Sequence, residues 1–203
     1  VVPTERGDIE LIVPVPPDLI RRLEVDAGFV SLVPSDQLLP VLLRIAENGQ
    51  VALALKGRLL IGYTTAYPVG PVEWEGKVYH VRWERVPGTW EFGGIEVSEN
   101  WLNLGIGRSL LKISFKDDAW EDRIAILFGF TWHWNLRATG LDKAGYRRML
   151  KSLMETVGFV EYHTDEGNIT FDPFNLFMAR IGSRVEPDRV AAFKALLYTG
   201  ELM

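Results

Sequence analysis

Apolar and polar positions along the chain follow two periods, and the switches between them mark out the elements. Ile9-Glu10-Leu11-Ile12-Val13 reads as a first strand, ended by Pro14, Pro16 and Pro17, which hand over to a short helix starting near Asp18 with Leu19, Ile20 and Leu23 on its buried face. A second helix is predicted through Leu38, Val41, Leu42 and Ile45, with Ser35 as its cap, Pro40 limiting its first turn and Gly49 stopping it. Strands over 51–55 and 59–67 are joined at Lys56-Gly57-Arg58, a tight hairpin by its glycine and its length. Residues 71–88 read as a further hairpin turning at Glu75-Gly76-Lys77 and carrying Trp74, Tyr79 and Trp83 as exposed or half-buried aromatics.

A strand over 90–97 leads into a glycine-bearing loop and a helix that should reach about Trp120, followed by an apolar strand over 124–130. The longest helix is expected over 142–157, because Tyr146, Met149, Leu150, Leu153, Met154 and Val157 fall on one face, with Asp142 as cap and Gly158 as stop. Strands over 159–164 and 176–181 and a terminal helix from Pro187, with Val190, Phe193 and Leu197 on one face, complete the pattern. Alternating strands and helices of this kind make an α/β (α+β) fold, and 203 residues suit one domain spanning 1–203.

Composition narrows the function. Nearly half the residues, 47%, are apolar, enough for a packed core, while a net charge of −5 speaks against a broad nucleic-acid-binding surface and favours a basic peptide or amine as partner. Without cysteine there is no thiol nucleophile, disulfide or thiolate metal site, and His80, His133 and His163 are too scattered to gather a metal, so no metal is expected. No apolar run is long enough to span a bilayer and the first residues carry no signal pattern, which makes the cytoplasm the expected location. The chain lacks an initiator Met, as though an N-terminal segment had been trimmed or left out.

The candidate chemistry centres on Asn103-Leu104-Gly105-Ile106-Gly107-Arg108, at a strand-to-helix junction. Glycines there let backbone N–H groups converge on a ligand at a helix start, a geometry that suits a phosphate or pyrophosphate. Neither the P-loop pattern nor a third glycine for a dinucleotide fingerprint is present, Leu110 standing where that glycine would be. No Gly-x-Ser-x-Gly elbow of an esterase occurs either. What remains resembles the Gln/Arg-x-x-Gly-x-Gly/Ala motif of the GNAT acyltransferases, with Leu102 in the Gln/Arg position. The resemblance implies the GNAT fold, a mixed central sheet of about seven strands flanked by helices, here with an extra hairpin and a C-terminal helix. It also implies acetyl-CoA as co-substrate, bound by Ile95, Val97, Asn103, Leu104, Gly105, Ile106, Gly107 and Arg108.

Within that family the second half resembles the acetoin-utilisation (AcuA) branch through Gly94-Ile95-Glu96-Val97, Trp132-His133-Trp134, Tyr146-Arg147 and Met178-Ala179-Arg180-Ile181-Gly182. The likeness implies acetylation of a lysine on a protein, an AMP-forming acetyl-CoA synthetase. A small-amine acyltransferase and a non-catalytic acyl-CoA sensor are the competing readings, since one fold hosts many activities. Acyl chain length, the target lysine and the oligomeric state leave no readable pattern.

A lysine amine, with a pKa of about 10.4, must lose a proton before it can attack a thioester. Period-two alternation puts Glu91 on the face of Gly93, Ile95 and Val97 and turns Glu96 the other way. Glu91 also stands eleven residues before Leu102, the position of the strand-borne base in related GNATs, and Glu96 reads as structural or loop-orienting. Many GNATs place a tyrosine as general acid four residues before the glycine that ends the last long helix, where Met154 stands here. A thioether cannot donate a proton, which leaves Tyr146 and His133 as substitutes, or a thiolate leaving unprotonated. Trp132 and Trp134, on one face of an extended segment with His133 opposite, are core or a substrate wall.

Overall fold

The computed structural model describes residues 1–30 and 32–200, with the side chains of Glu73 and Trp74 outside that description. In chain order the elements are β1 (Glu10–Ile12), α1 (Pro17–Ile20), β2 (Glu24–Val25), α2 (Ser35–Asn48), β3 (Gln50–Lys56), β4 (Leu59–Pro68), β5 (Val72–Trp74) and β6 (Lys77–Tyr79). They continue with β7 (Thr89–Val97), α3 (Ile106–Ser114), β8 (Ile124–Gly129), α4 (Leu136–Thr139), α5 (Lys143–Glu155), β9 (Val160–Tyr162), α6 (Gly167–Thr170), β10 (Leu176–Ile181) and α7 (Pro187–Ala195). The main sheet runs β1-β3-β4-β7-β8-β10-β9, with β2 added in parallel beside the start of β4. All other pairings along that path are antiparallel except β7 with β8.

Alternation along the strands feeds two apolar layers. Val51, Leu53 and Leu55 of β3 pack with α1 and α2, whereas Ala52 and Ala54 pack with Ile106 and Leu110 of α3. Farther along the sheet, Ala125 and Leu127 of β8 meet α3 and α5, and Ile124 and Ile126 meet Phe193 of α7. The layers are therefore α1, α2 and α7 on one face and α3 and α5 on the other.

Several sequence expectations are corrected. The helix after the glycine loop ends at Ser114 instead of reaching Trp120, because Asp117 caps a separate 3-10 turn over Asp118–Asp122 and the buried Trp120 indole donates to the Ser114 carbonyl at 2.7 Å. Ser35 is the first residue of α2 and makes no side-chain cap, Pro34 holding the cap position. At 14 residues α2 also exceeds α5, with 13, so the helix capped by Asp142 is not the longest.

The 71–88 hairpin is confined to β5 and β6, whose turn carries positive φ at both Glu75 and Gly76, the twist that short hairpins favour. Beyond it the chain makes a 3-10 turn, Arg82–Arg85, that drives Trp83 into the core against Phe177 and Phe193, with ring centroids 4.6 and 5.4 Å apart. Trp83 is thus no part of an exposed aromatic surface. Tyr79 is exposed, and the side chain of Trp74 lies outside the described residues.

Candidate active site

β7 and β8 pair only over 89–91 against 124–126, and Glu91 opposite Ile126 is the last pair. Past that point β7 continues to Val97 paired to β4, while β8 ends at Gly129, so the sheet opens as a wedge with Glu91 near its apex. A cavity of about 980 Å³ fills the opening and passes between the layers, walled by Leu38 and Leu42 of α2 on one side and by Tyr146 and Leu150 of α5 on the other.

The register of β7 with β4 slips between Thr65, which faces Gly94, and Ala66, which faces Phe92. Gly93 is the extra residue of a β-bulge, and one extra residue reverses the alternation that follows it. The expectation that Glu91 shares a face with Ile95 and Val97 while Glu96 turns away is therefore corrected. Glu91 and Glu96 share the α2 face, and Ile95 and Val97 turn toward α3, within about van der Waals reach of where a Gly107 side chain would stand. The Tyr67 hydroxyl donates to Glu91 and the Tyr63 hydroxyl to Glu96, each at 2.9 Å. Burial pushes the Glu91 carboxyl above its ordinary pKa, with the Tyr67 hydrogen bond pulling partly back. Burial, reinforced by the neighbouring carboxylate, keeps both tyrosine hydroxyls protonated far above their usual range. Glu96 also accepts from the Val30 N–H at 3.1 Å.

At the wide end, Asn103 and Gly105 both take positive φ, and Gly105, left-handed at the N-cap, turns the chain into α3. The first N–H groups of a helix have no intrahelical partners, and Ile106, Gly107 and Arg108, which carry them here, line the cavity. Ile95, Val97, Asn103 and Gly105 line the same space, as does Leu102, whereas Leu104 packs its side chain into the α3 core beside Ile9 and Leu110.

On the far wall Tyr146 reaches the cavity from α5, stacked on Trp134 with centroids 4.9 Å apart. Burial raises its hydroxyl pKa, the Asn135 backbone N–H opposes that, and the Glu96 charge adds to it. His133 lines the cavity at its exposed rim. The segment expected to be extended is a 3-10 turn, Thr131–His133, so Trp132 and Trp134 part company: Trp134 joins the wall, and Trp132, 52% exposed, stacks outside on Phe130. Met154 is fully buried among Phe92, Leu111 and Phe159 and does not line the cavity; the α5 hydroxyls that do line it belong to Tyr146, two turns earlier, and Ser152.

Sequence reasoning thus gathered Glu91, Tyr146, His133 and most of the loop into one space, and missed Glu96, Tyr63 and Tyr67 as its neighbours. The Gly93-Gly94 pair inside a strand was the available signal for the bulge that brings Glu96 round. Among the described residues no group of three or more metal-ligating side chains gathers, and no helix is long and apolar enough to cross a membrane.

No family profile matches the chain. It is 29% identical to the acetoin utilization protein AcuA of Bacillus licheniformis, covering 98% of this chain and 93% of that protein. The crystal structure of an acetoin utilization protein from Exiguobacterium sibiricum superposes with a TM-score of 0.88 at 31% identity, covering 97% and 92% of the two chains. A Desulfovibrio desulfuricans protein described as a GNAT-family acetyltransferase shares the fold, with a TM-score of 0.51 at 16% identity over 85% of this chain and 98% of that one. The chain therefore belongs to the acetoin-utilisation protein family, and it has the fold of the GNAT-family acetyltransferases.

Proposed function

We propose that this protein transfers the acetyl group of acetyl-CoA to a lysine side chain of another protein, an AMP-forming acetyl-CoA synthetase in the cytoplasm. The observation that carries the reading is the placement of Glu91, near the apex of the β7/β8 wedge, in one cavity with the glycine loop and Tyr146. The amides of 103–108 hold the pyrophosphate, and Ile95 and Val97 flank the arm that leads inward. Glu91 takes the proton of the incoming ammonium, directly or through water, and its raised pKa brings it closer to that task than an ordinary carboxylate. The free amine then attacks the thioester carbonyl, the C–S bond breaks, Tyr146 gives its proton to the departing thiolate, and the second proton shed by the nitrogen as the amide forms restores the Tyr146 hydroxyl. His133, at the rim, meets the acceptor outside this centre.

The α2 wall supports a lysine over a polyamine. Leu38, Val41, Leu42 and Ile45 of α2, with Leu32 and Val33 just before it, offer an apolar lining that matches a four-carbon stem with one charge at its tip, whereas a polyamine carries further charges that such a wall leaves unpaired. The test is incubation of the protein and acetyl-CoA with the intact synthetase, its lysine-bearing peptide, or a polyamine. Intact-mass measurement should show one acetyl group added to the folded protein with a kcat/KM well above that of the peptide, because docking contacts outside the cavity orient the lysine. A polyamine or peptide that matches the folded protein would transfer the reading to a small-amine enzyme.

A further inference from the structure

Asp26 follows β2 and carries no motif, yet it gathers the connection between β7 and the glycine loop. Its Oδ1 accepts from the Ser98 hydroxyl, from Asn100 Nδ2 at 2.8 Å and from the Gly28 N–H at 2.9 Å, and its Oδ2 accepts from the Trp101 indole at 3.1 Å. Three of these four donors are side chains of one short stretch, 98–101, most of it a 3-10 turn. The backbones are zipped together as well: the Glu99 N–H donates to the Gly28 carbonyl at 3.0 Å. A Cβ on Gly28 would stand 2.4 Å from the Ser98 hydroxyl and 2.9 Å from the Glu99 nitrogen, so the approach requires glycine. Desolvation works against the Asp26 carboxylate, but the hydrogen bonds outweigh it and hold its pKa below the ordinary value.

This investment has a physical motive. Pyrophosphate recognition by backbone amides depends on where the loop points, and residues 102–105, with positive φ at Asn103 and Gly105, have no ladder of their own to hold them. A carboxylate with two oxygens and about four acceptor sites can fix the preceding turn in place of a ladder.

We infer that Asp26 is a positioning residue for the coenzyme, fixing the 98–101 turn and through it the direction in which the amides of 103–108 meet the pyrophosphate. The inference rests on the proposed coenzyme role of that loop. Asp26→Asn keeps the size of the side chain and sets an NH₂ group against donors. Acetyl-CoA Kd by calorimetry and KM should both rise roughly tenfold, the scale of one lost charge-assisted hydrogen bond, while kcat at saturating acetyl-CoA stays within about twofold. Trp101→Phe, which deletes one donor and leaves the charge, should move KM the same way by less, and the double variant should fall short of the sum. If Asp26→Asn fails to fold, Trp101→Phe and Ser98→Ala decide by the same split. A folded Asp26→Asn with unchanged Kd and KM, or one that loses kcat at constant KM, overturns the inference. Failure of the wild-type protein to bind acetyl-CoA would instead overturn the coenzyme reading itself.

Discussion

Glu91→Gln separates proton transfer from every other function of the cavity. The amide retains the size of the carboxylate, and its carbonyl oxygen can keep the 2.9 Å hydrogen bond from Tyr67, so the wedge should hold its shape. Two energetic changes oppose each other in the folded state. The Tyr67 bond loses the assistance of a charge, costing on the order of 1 kcal/mol, while the burial penalty that raises the Glu91 pKa disappears. Because that pKa is raised on folding, the stability Glu91 contributes is fully present below its unfolded value and is lost as pH rises through the folded one. At neutral pH the variant should therefore melt within a few degrees of the wild type, on the high side if desolvation dominates.

Catalysis responds differently. Removal of a general base costs about 100- to 10,000-fold, or about 2.7 to 5.4 kcal/mol of barrier. Steady-state release of CoA with the intact synthetase as acceptor, followed from about pH 6 to 9, should show kcat reduced by that range at neutral pH and partly recovered as pH rises and free amine accumulates. Acetyl-CoA Kd by calorimetry should not change by more than about twofold, since the carboxylate lies at the apex and not at the loop. A loss of less than about tenfold would refute the assignment and move the base to Glu96, which the bulge brings to the same face, or to water.

Three further outcomes are expected. Gly107→Glu should abolish acetyl-CoA binding in calorimetry while thermal unfolding stays cooperative, whereas Gly107→Ala, whose methyl would meet Ile95 and Val97 at 3.6 and 3.7 Å, should fold and bind much as the wild type does. Trp83→Ala should cost about 3 to 5 kcal/mol in urea unfolding through the hole left against Phe177 and Phe193, and leave acetyl-CoA affinity of the folded fraction unchanged. Glu121 is held to a pKa of about 2, first by the Ser183 backbone N–H and then by further hydrogen bonds including Arg180, so its contribution is present above its unfolded pKa and lost as pH falls toward 2. Chemical denaturation should accordingly show Glu121→Gln less stable than wild type at neutral pH, with the gap closing in acid.

What the sequence discloses and what it conceals divide along the range of the interactions. Local signals carried far: Asp142 does accept from the Gly145 N–H as a cap, Gly57 and Gly76 do turn hairpins, and Leu150, Leu153 and Met154 of the α5 stripe do face inward, although Met149 is 39% exposed. Gly105 and Gly107 marked the loop because a bend into a helix is written in neighbouring residues. The bulge at Gly93 was concealed because period-two reasoning assumes that no residue is inserted, and one insertion sends Glu96 to the opposite face. Asp26 was invisible for a different reason: three of its four partners, Ser98, Asn100 and Trp101, lie more than 70 positions away. Trp83 misled through composition, since a tryptophan just past an exposed hairpin is indistinguishable on paper from one within it.

The divergence of β7 from β8 leaves two facing runs of main chain that lack each other as hydrogen-bond partners within an otherwise continuous sheet. On the proposed reading, a coenzyme arm entering that gap would be selected for peptide-like amides at backbone spacing, because an apolar guest would strand the N–H and C=O groups on either side. Affinity written in main-chain atoms is largely indifferent to which side chains decorate the walls.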